Sequence, residues 1–499
     1  MKYETIIKGT PATLPEILDA RERRVFRQKE LLREVNDSYS LISFSMNIAG
    51  EIKSFPLCEA AFNEGLKELR TRISADKILH FEEHRANTGP EAFFLLAIPA
   101  LEVKKLTASI EESHPVGRLF DMDVICPDGA SISRSAIGLA PRTCLICGQN
   151  AKACARSRNH TLEVILWRTA QILNHFFKGR AADAAAACAV RALLYEVSAT
   201  PKPGLVDRNN SGSHKDMDFF TFLDSSAALI PWFRDFFCIG WDYCTEFDEQ
   251  IFSRLRYAGQ EAEAKMLAAT KGVNTHKGLI FATAIVLGAL GKVFAEQNGL
   301  ASDNSTNCQL IINQPATLTK VIAFCQTLGS CALGDFEFCG LSAARQQAVN
   351  SQHSIPMSQK KLPTAGERFH KTYGITGARG EAAAGFPSAL TYGIPALKHW
   401  LEKGFSLNDA AVLTLISLLS QVDDTNMIHR GGLDLALESK KEAGTLLEEI
   451  TPDNFKEKLA ALDTSYIEKN LSPGGCADLL AVSLMFLFLE NAGMVVTTA

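Results

Sequence analysis

Six long segments with apolar residues at helical spacing, 182–198, 218–237, 259–270, 279–296, 407–421 and 477–490, fill the last two thirds of the chain. Few alternating β-branched runs separate them, so this part is expected to be mainly α-helical, each helix burying a face against its neighbours. The longest apolar stretches, 279–296 and 477–489, are interrupted by Gly, Lys, Thr or Ser and read as core helices that fall short of a membrane span. A chain of 499 residues is too long for one typical core, which predicts two or three domains. The formal net charge of −5 supplies no global basic field for nucleic acid. Thirteen scattered cysteines, an odd number, fit a reducing compartment better than a disulfide framework. The opening MKYETIIKGTPATLPEILDARERR has acids and a proline where a signal peptide needs an apolar core. The expectation is a cytoplasmic protein with neither membrane nor nucleic acid as partner.

Polar loops stand between the helical segments, each abutting an apolar helix. EVSATPKPGLVDRNNSGSHKDMD (196–218) carries Lys202, Asp207, His214, Lys215, Asp216 and Asp218. TKGVNTHKG (270–278) places Asn274, His276 and Lys277 where a buried helix begins. Helix N-termini present unpaired N–H groups and partial positive charge, so they hold anions. Lys277 adds a full charge and ranks above His276, which is read as orienting the loop. YGITGARGEAAAGFP (373–387) carries Arg379 and Glu381, QVDDTNMIHRGG (421–432) carries Asp424 and Arg430, and SPGGCADLL (472–480) carries Asp478. One such loop is a capped turn. Five together suggest a shared nucleotide site, because carboxylates beside Lys and Arg are what Mg²⁺ and a triphosphate require. The polar stretches near 298–309 and 345–366 read as surface loops.

The first third mixes helices and strands. Residues 13–35 put Leu14, Leu18, Val25, Leu31, Leu32 and Val35 on an amphipathic helix, LISFSMNIAG (41–50) is strand-like, a helix follows near 58–73, and AFFLLAI (92–98) is a second apolar strand. LFDMDVIC (119–126) reads as a buried strand on which Asp121 and Asp123 share one face. Adjacent carboxylates repel unless a cation sits between them, and a Mg²⁺ bound to substrate phosphates would serve. Gly117 and Arg118 precede the strand and suit phosphate approach. PRTCLICGQNAKACARSRNH (141–160) carries Arg142, Lys152, Arg156 and Arg158, and its Cys144, Cys147, Cys154 and His160 are ligand types for tetrahedral zinc. The spacing to Cys154 is short and no second CxxC follows, so reduced cysteines in a basic loop are the preferred reading. The domain boundary is placed at Lys178–Gly179–Arg180, giving domains 1–180 and 181–499.

GRLFDMDV followed by PRTCLICGQNAKACARSRNH resembles the apo-citrate lyase phosphoribosyl-dephospho-CoA transferases. The resemblance implies an α/β nucleotidyltransferase-like domain that attaches a phosphoribosyl-dephospho-CoA group to a serine of the citrate lyase acyl carrier protein and releases pyrophosphate. PKPGLVDRNNSGSHKDMD, GVNTHKG, GARGEAAAGFP, DDTNMIHRGG and SPGGCADLLA resemble the triphosphoribosyl-dephospho-CoA synthases, which implies an all-helical domain joining ATP to dephospho-CoA with loss of adenine. The whole is expected to be a multidomain α+β bifunctional transferase. On this reading Asp121, Asp123, Glu381 and Asp424 are catalytic. Gly117, Arg118, Lys202, Asn274, His276, Lys277, Arg379 and Arg430 bind nucleotide or phosphate. Asp121, Asp123, Asp207, Asp216 and Asp218 hold Mg²⁺. Two other readings stand beside it: the same chemistry serving a malonate decarboxylase carrier, or a zinc-dependent binding module in 141–160.

Overall fold

The computed structural model describes residues 3–33, 35–297, 316–338 and 375–496. The expected loops at 298–309 and 345–366 lie outside them. The chain divides into two compact units, one built on Met1–Arg180 and one on Ala181–Ala295 with Pro315–Ala499.

In the first unit β1 (Ser40–Met46), β2 (Ile78–His84), β3 (Glu91–Leu96) and β4 (Phe120–Ile125) form a sheet in the order β2-β3-β1-β4. Every pairing is antiparallel, so the unit is α+β, without the parallel crossovers that define α/β. Helices α2 (Pro56–Arg72) and α3 (Ala100–Ser113) cover one face. Phe44 of β1 stacks on Phe62 of α2 at 4.7 Å and meets the edge of Phe120 at 5.4 Å. Phe120, Met122 and Val124 are buried there, which turns Asp121 and Asp123 to the opposite face.

That opposite face meets α1 (Leu14–Leu31), which starts at a Thr13–Glu16 capping box. The predicted apolar stripe of this helix divides. Leu32 joins Leu41, Phe93 and Ile125 in a small core with Leu31 and Val35 against it. Leu14, Leu18 and Val25 are exposed instead. The reason is polar: α1 is tied to the sheet by Arg24 on Glu91, Arg27 on Glu82 and Gln28 on Ser43.

Helix α4 (Ala151–Arg156) follows, then α5 (Leu162–Ser198), which runs unbroken through Lys178, Gly179 and Arg180, where the sequence analysis placed the domain boundary. One glycine costs a helix interior about 1 kcal/mol relative to alanine, which weakens it without ending it.

The second unit is mainly helical: α6 (Phe219–Asp242), α7 (Asp248–Ala269), α8 (Lys277–Gln297), α9 (Leu318–Phe338), α10 (Gly377–Ala383), α11 (Ile394–Glu402), α12 (Leu407–Leu419), α13 (Thr425–Glu449), α14 (Phe455–Glu468) and α15 (Gly474–Asn491). It is not all-helical, since Ala316–Thr317 and Val495–Val496 form a short parallel pair. Helices α8 and α15 are long and apolar enough to cross a membrane, contrary to the sequence reading, but 83% and 72% of their apolar windows are buried inside the protein. They are interior helices: Val286, Leu287 and Leu290 of α8 and Leu480 and Leu484 of α15 are almost inaccessible.

Candidate active sites

In the second unit the five polar loops open onto a single cavity of about 1230 Å³. Three long helices present their N-terminal residues to it: α8 at Lys277–Gly278, α13 at Thr425–Asn426 and α15 at Gly474–Gly475. Backbone amides and helix dipoles therefore converge where an anion can sit. Asp424 links two of these ends. Its Oδ1 accepts from the amides of Asn426 and Met427, and its Oδ2 accepts from the Cys476 amide at 2.8 Å. Gly475 matters here, because a Cβ on it would lie 3.1 Å from Asp424 Oδ2.

The deepest wall is ionisable. Lys202 is 1% exposed and pairs with buried Glu196. His276, 2% exposed, lines the same cavity. Burial, and after it the Lys202 charge, pushes its imidazole down to about 3, so the ring is neutral near pH 7. Thr275 Oγ1 donates to Ser225 Oγ at 2.7 Å, and Ser225 Oγ lies 2.6 Å from His276 Nδ1. The other ring nitrogen, Nε2, is a buried atom with no partner among the described residues. Opposite, Asp478 lies so close to α8 that a Cβ on Gly278 would fall 2.2 Å from its Oδ2. Desolvation first, then repulsion from Glu196 and Asp424, raises the Asp478 carboxyl well above the usual range, although its side chain keeps some surface open to the cavity. Glu381 is also raised by burial, against the pull of hydrogen bonds from Ser388 Oγ at 2.6 Å and from the Ser388 amide.

Other predicted residues hold the cavity in shape. Arg430 donates to the Ser213 carbonyl at 3.0 Å and to His214 Nδ1 at 3.2 Å, and His214 Nε2 reaches Ser472 Oγ at 2.9 Å. One guanidinium thus clasps three of the loops. Asn274 accepts from the Lys277 amide and caps α8. Lys277 itself stands at the rim, 58% exposed and 2.5 Å from Glu263. Arg379 is in the lining.

In the first unit, Asp121 and Asp123 pair across β1 with Ser45 and Ser43. Partial desolvation, and next repulsion from Asp121, raises the Asp123 carboxyl, whose side chain stays solvent-accessible. Arg142 stands beside Asp121, with Arg118 and Arg134 near it. Arg134 and Arg142 both pair with buried Glu111, Arg142 donates to the Phe120 carbonyl at 2.9 Å and lies 3.9 Å from Asp121, and Arg118 donates to the Thr143 carbonyl. Gly117 serves packing: a Cβ there would sit 2.6 Å from the Glu111 carbonyl oxygen, against α3 rather than toward a phosphate. Close by in sequence, the ligand atoms of Cys144, Cys147, Cys154 and His160 all lie within 4.8 Å of one another.

Residues 182–495 match the family described as ATP:dephospho-CoA triphosphoribosyl transferase, and residues 12–176 match apo-citrate lyase phosphoribosyl-dephospho-CoA transferase. The chain belongs to both families. Protein CitXG of Haemophilus influenzae is 34% identical over 96% of this chain and 97% of its own length. Protein CitXG of Leuconostoc mesenteroides subsp. cremoris is 34% identical over 97% and 98%. A probable 2-(5''-triphosphoribosyl)-3'-dephosphocoenzyme-A synthase of Streptococcus equi subsp. equi is 40% identical over 61% of this chain and 95% of its own. The protein is a bifunctional transferase of citrate lyase prosthetic-group biosynthesis: a synthase joining ATP and dephospho-CoA, and a transferase that modifies the apo-carrier protein. A zinc-dependent binding module does not describe it.

Of the residues predicted for the synthase, Lys202, Asn274, His276, Lys277, Arg379, Glu381, Asp424 and Arg430 all line the cavity. The proposed metal ligands Asp207, Asp216 and Asp218 do not. Asp207 is buried and accepts from the amides of Lys202, Asn209 and Asn210; Asp218 caps α6 through Thr221; Asp216 is exposed near His214. Sequence reasoning passed over Glu196 and Ser225 and gave Asp478 no role. Glu196 and Ser225 sit inside apolar helical runs, where a polar residue reads as a surface position until the neighbouring helix is known.

Proposed function

We propose that the second-unit cavity is the synthase active site, with Asp478, Glu381 and His276 as its reacting and orienting groups. The observation that carries this is one cavity receiving all five loops and three helix N-termini. At about 1230 Å³ it exceeds the roughly 300–1,000 Å³ typical of a single small ligand, which leaves room for two nucleotides. The triphosphate lies against the N-termini of α8, α13 and α15, with Lys202 and Arg379 adding charge. A ribose hydroxyl of dephospho-CoA attacks the anomeric carbon of the ATP ribose, the new C–O bond forming as the bond to adenine breaks. Glu381, its basicity increased by burial, takes the hydroxyl proton. Asp478, its carboxyl raised by burial, gives a proton to the departing adenine. The neutral His276 Nε2–H donates a hydrogen bond to the bound nucleotide.

Mg²⁺ suits this site only as a companion of the phosphates. Among the described residues no three cavity carboxylates come together as an ion cage, and Asp424 already accepts three amides. Mg²⁺ commonly binds through one or two carboxylates plus substrate phosphates, where it neutralises charge. Asp424 is the cavity carboxylate that would share it.

In the first unit, Asp121 and Asp123 would hold a Mg²⁺ that offsets the phosphate charge, and Arg118, Arg134 and Arg142 receive the pyrophosphate that leaves as a carrier-protein serine forms its bond to phosphorus. The family description names apo-citrate lyase, which favours its acyl carrier protein over a malonate decarboxylase carrier. A cytoplasmic setting fits the reduced cysteines. The test is adenine release from ATP plus dephospho-CoA. Asp478→Asn should lower its rate at least about 100-fold, the smaller end of general-acid contributions, while ATP still binds. A folded variant within threefold of the parent would remove Asp478 from the chemistry.

A further inference from the structure

We propose that Cys144, Cys147, Cys154 and His160 bind one zinc ion in a closed structural site, which fastens the loop bearing Arg142 beside Asp121 and Asp123. Cys147 Sγ lies 3.6 Å from Cys154 Sγ, and Cys154 Sγ lies 3.3 Å from His160 Nε2. Tetrahedral zinc, with bonds of about 2.3 Å to sulfur and 2.0–2.1 Å to nitrogen, sets sulfurs about 3.8 Å apart and sulfur and nitrogen about 3.6 Å apart. The observed spacings are close to that before any ion draws the ligands together. Three thiols and an imidazole are soft donors that select zinc over the hard Mg²⁺ used for phosphates, and four protein ligands leave no open position for chemistry.

The backbone around the cluster is shaped for it. Gly148, directly after Cys147, has φ +74°, a left-handed turn that a side chain would strain. The Ile146 amide donates to Cys144 Sγ at 3.4 Å and Asn159 Nδ2 donates to Cys154 Sγ at 3.6 Å, contacts that support thiolate charge on a metal. Thr143 and Asn150 bridge the base of the turn, and Asn150 caps α4, the helix that carries Cys154.

The segment also lacks another source of stability. Between residues 126 and 168 the one buried residue is Cys154. A stretch with no apolar core holds a fixed shape by a staple, either metal or disulfide. A disulfide between two of these cysteines would strand the third and leave the histidine unused, whereas zinc uses all four.

The staple has a consequence for transfer, which rests on the proposed transferase site, while the metal site does not. Thr143, adjacent to Cys144, accepts from Arg118, and Arg142 reaches Glu111 and the Phe120 carbonyl. Fixing this turn fixes Arg142 beside Asp121. Elemental analysis of the full chain, desalted after purification without added metal, should find one zinc per chain. Cys147→Ser and His160→Ala should lose it, and Cys126→Ser, outside the cluster, should keep it. Stripping zinc should reduce carrier labelling more than tenfold, with recovery on zinc addition and adenine release unchanged. Should the variants fail to fold, cobalt exchanged into the unmodified chain should give thiolate charge-transfer absorption. No retained zinc together with no such band, or a Cys147–Cys154 disulfide found by mass spectrometry, overturns the site. Zinc present but without effect on labelling overturns its positioning role.

Discussion

At the level of single residues, the synthase cavity separates groups that neighbour one another in sequence. His276 and Lys277 stand side by side in TKGVNTHKG, and the sequence favoured the lysine as the working group. Folding reverses their standing: Lys277 turns to the rim and Glu263, and His276 turns inward onto Ser225. What decides this is a serine on α6 about fifty residues away, which no local pattern reveals. If His276 Nε2–H is a donor to substrate, His276→Gln, which can place an N–H near the same point, should retain more adenine release than His276→Leu. Equal loss in both variants would reduce the histidine to packing. Asp478 makes a sharper case because its pH dependence has a definite sign. Its folded carboxyl titrates above the ordinary aspartate value of 3.8, so the acid form carries the folded-state preference. The associated stability is complete below that value and lost as pH rises through the folded one. Asp478→Asn, neutral throughout, should therefore raise the melting temperature at pH 8 more than at pH 5, while the alkaline fall in the parent's adenine release disappears along with most of the activity. An increment equal at both pH values would show that no ionised carboxylate is being relieved.

At the level of elements, the helices of the second unit were legible because long apolar runs at helical period leave few alternatives. The convergence of their polar starts was legible too, as repetition: five glycine-bearing loops, each carrying Lys or Arg, a carboxylate, or both. Where one polar residue served another purpose the reading failed. Asp207 and Asp218 look like ligands in sequence but serve as an amide acceptor and a helix cap, roles that carboxylates fill more often. The exposed Leu14, Leu18 and Val25 of α1 show the converse, since helical period reports which residues share a face and not which face meets the sheet. Gly278 exemplifies an element-level constraint. It lets the start of α8 pass against the Asp478 carboxylate, and a methyl group there would fall 2.2 Å from Oδ2. Gly278→Ala should displace Asp478 and cut kcat for adenine release at least tenfold with little change in overall helicity by circular dichroism. A kcat within twofold of the parent would mean that Asp478 can move aside without consequence.

For the molecule as a whole, two families in one chain imply two activities joined by a small molecule, the triphosphoribosyl-dephospho-CoA made by the synthase and consumed by the transferase. The sequence reads as two activities because a strand with paired aspartates and five polar loops between helical runs have no pattern in common. Each unit has its own core and its own cluster of charged groups, so a lesion in one should leave the other's chemistry intact. Asp123→Asn should abolish labelling of the apo-carrier protein and preserve adenine release; Asp478→Asn should do the reverse, labelling carrier only when supplied with the preformed intermediate. If that intermediate is released between the two reactions, an equimolar mixture of the two variants with ATP, dephospho-CoA, Mg²⁺ and apo-carrier should produce modified carrier, read by its mass increase. The rate should rise with total enzyme concentration, as expected when a product must accumulate in solution before use. A mixture that releases adenine at the normal rate and yet modifies no carrier would mean that the intermediate is handed on only within one chain, and the two sites would then have to be treated as one catalytic device.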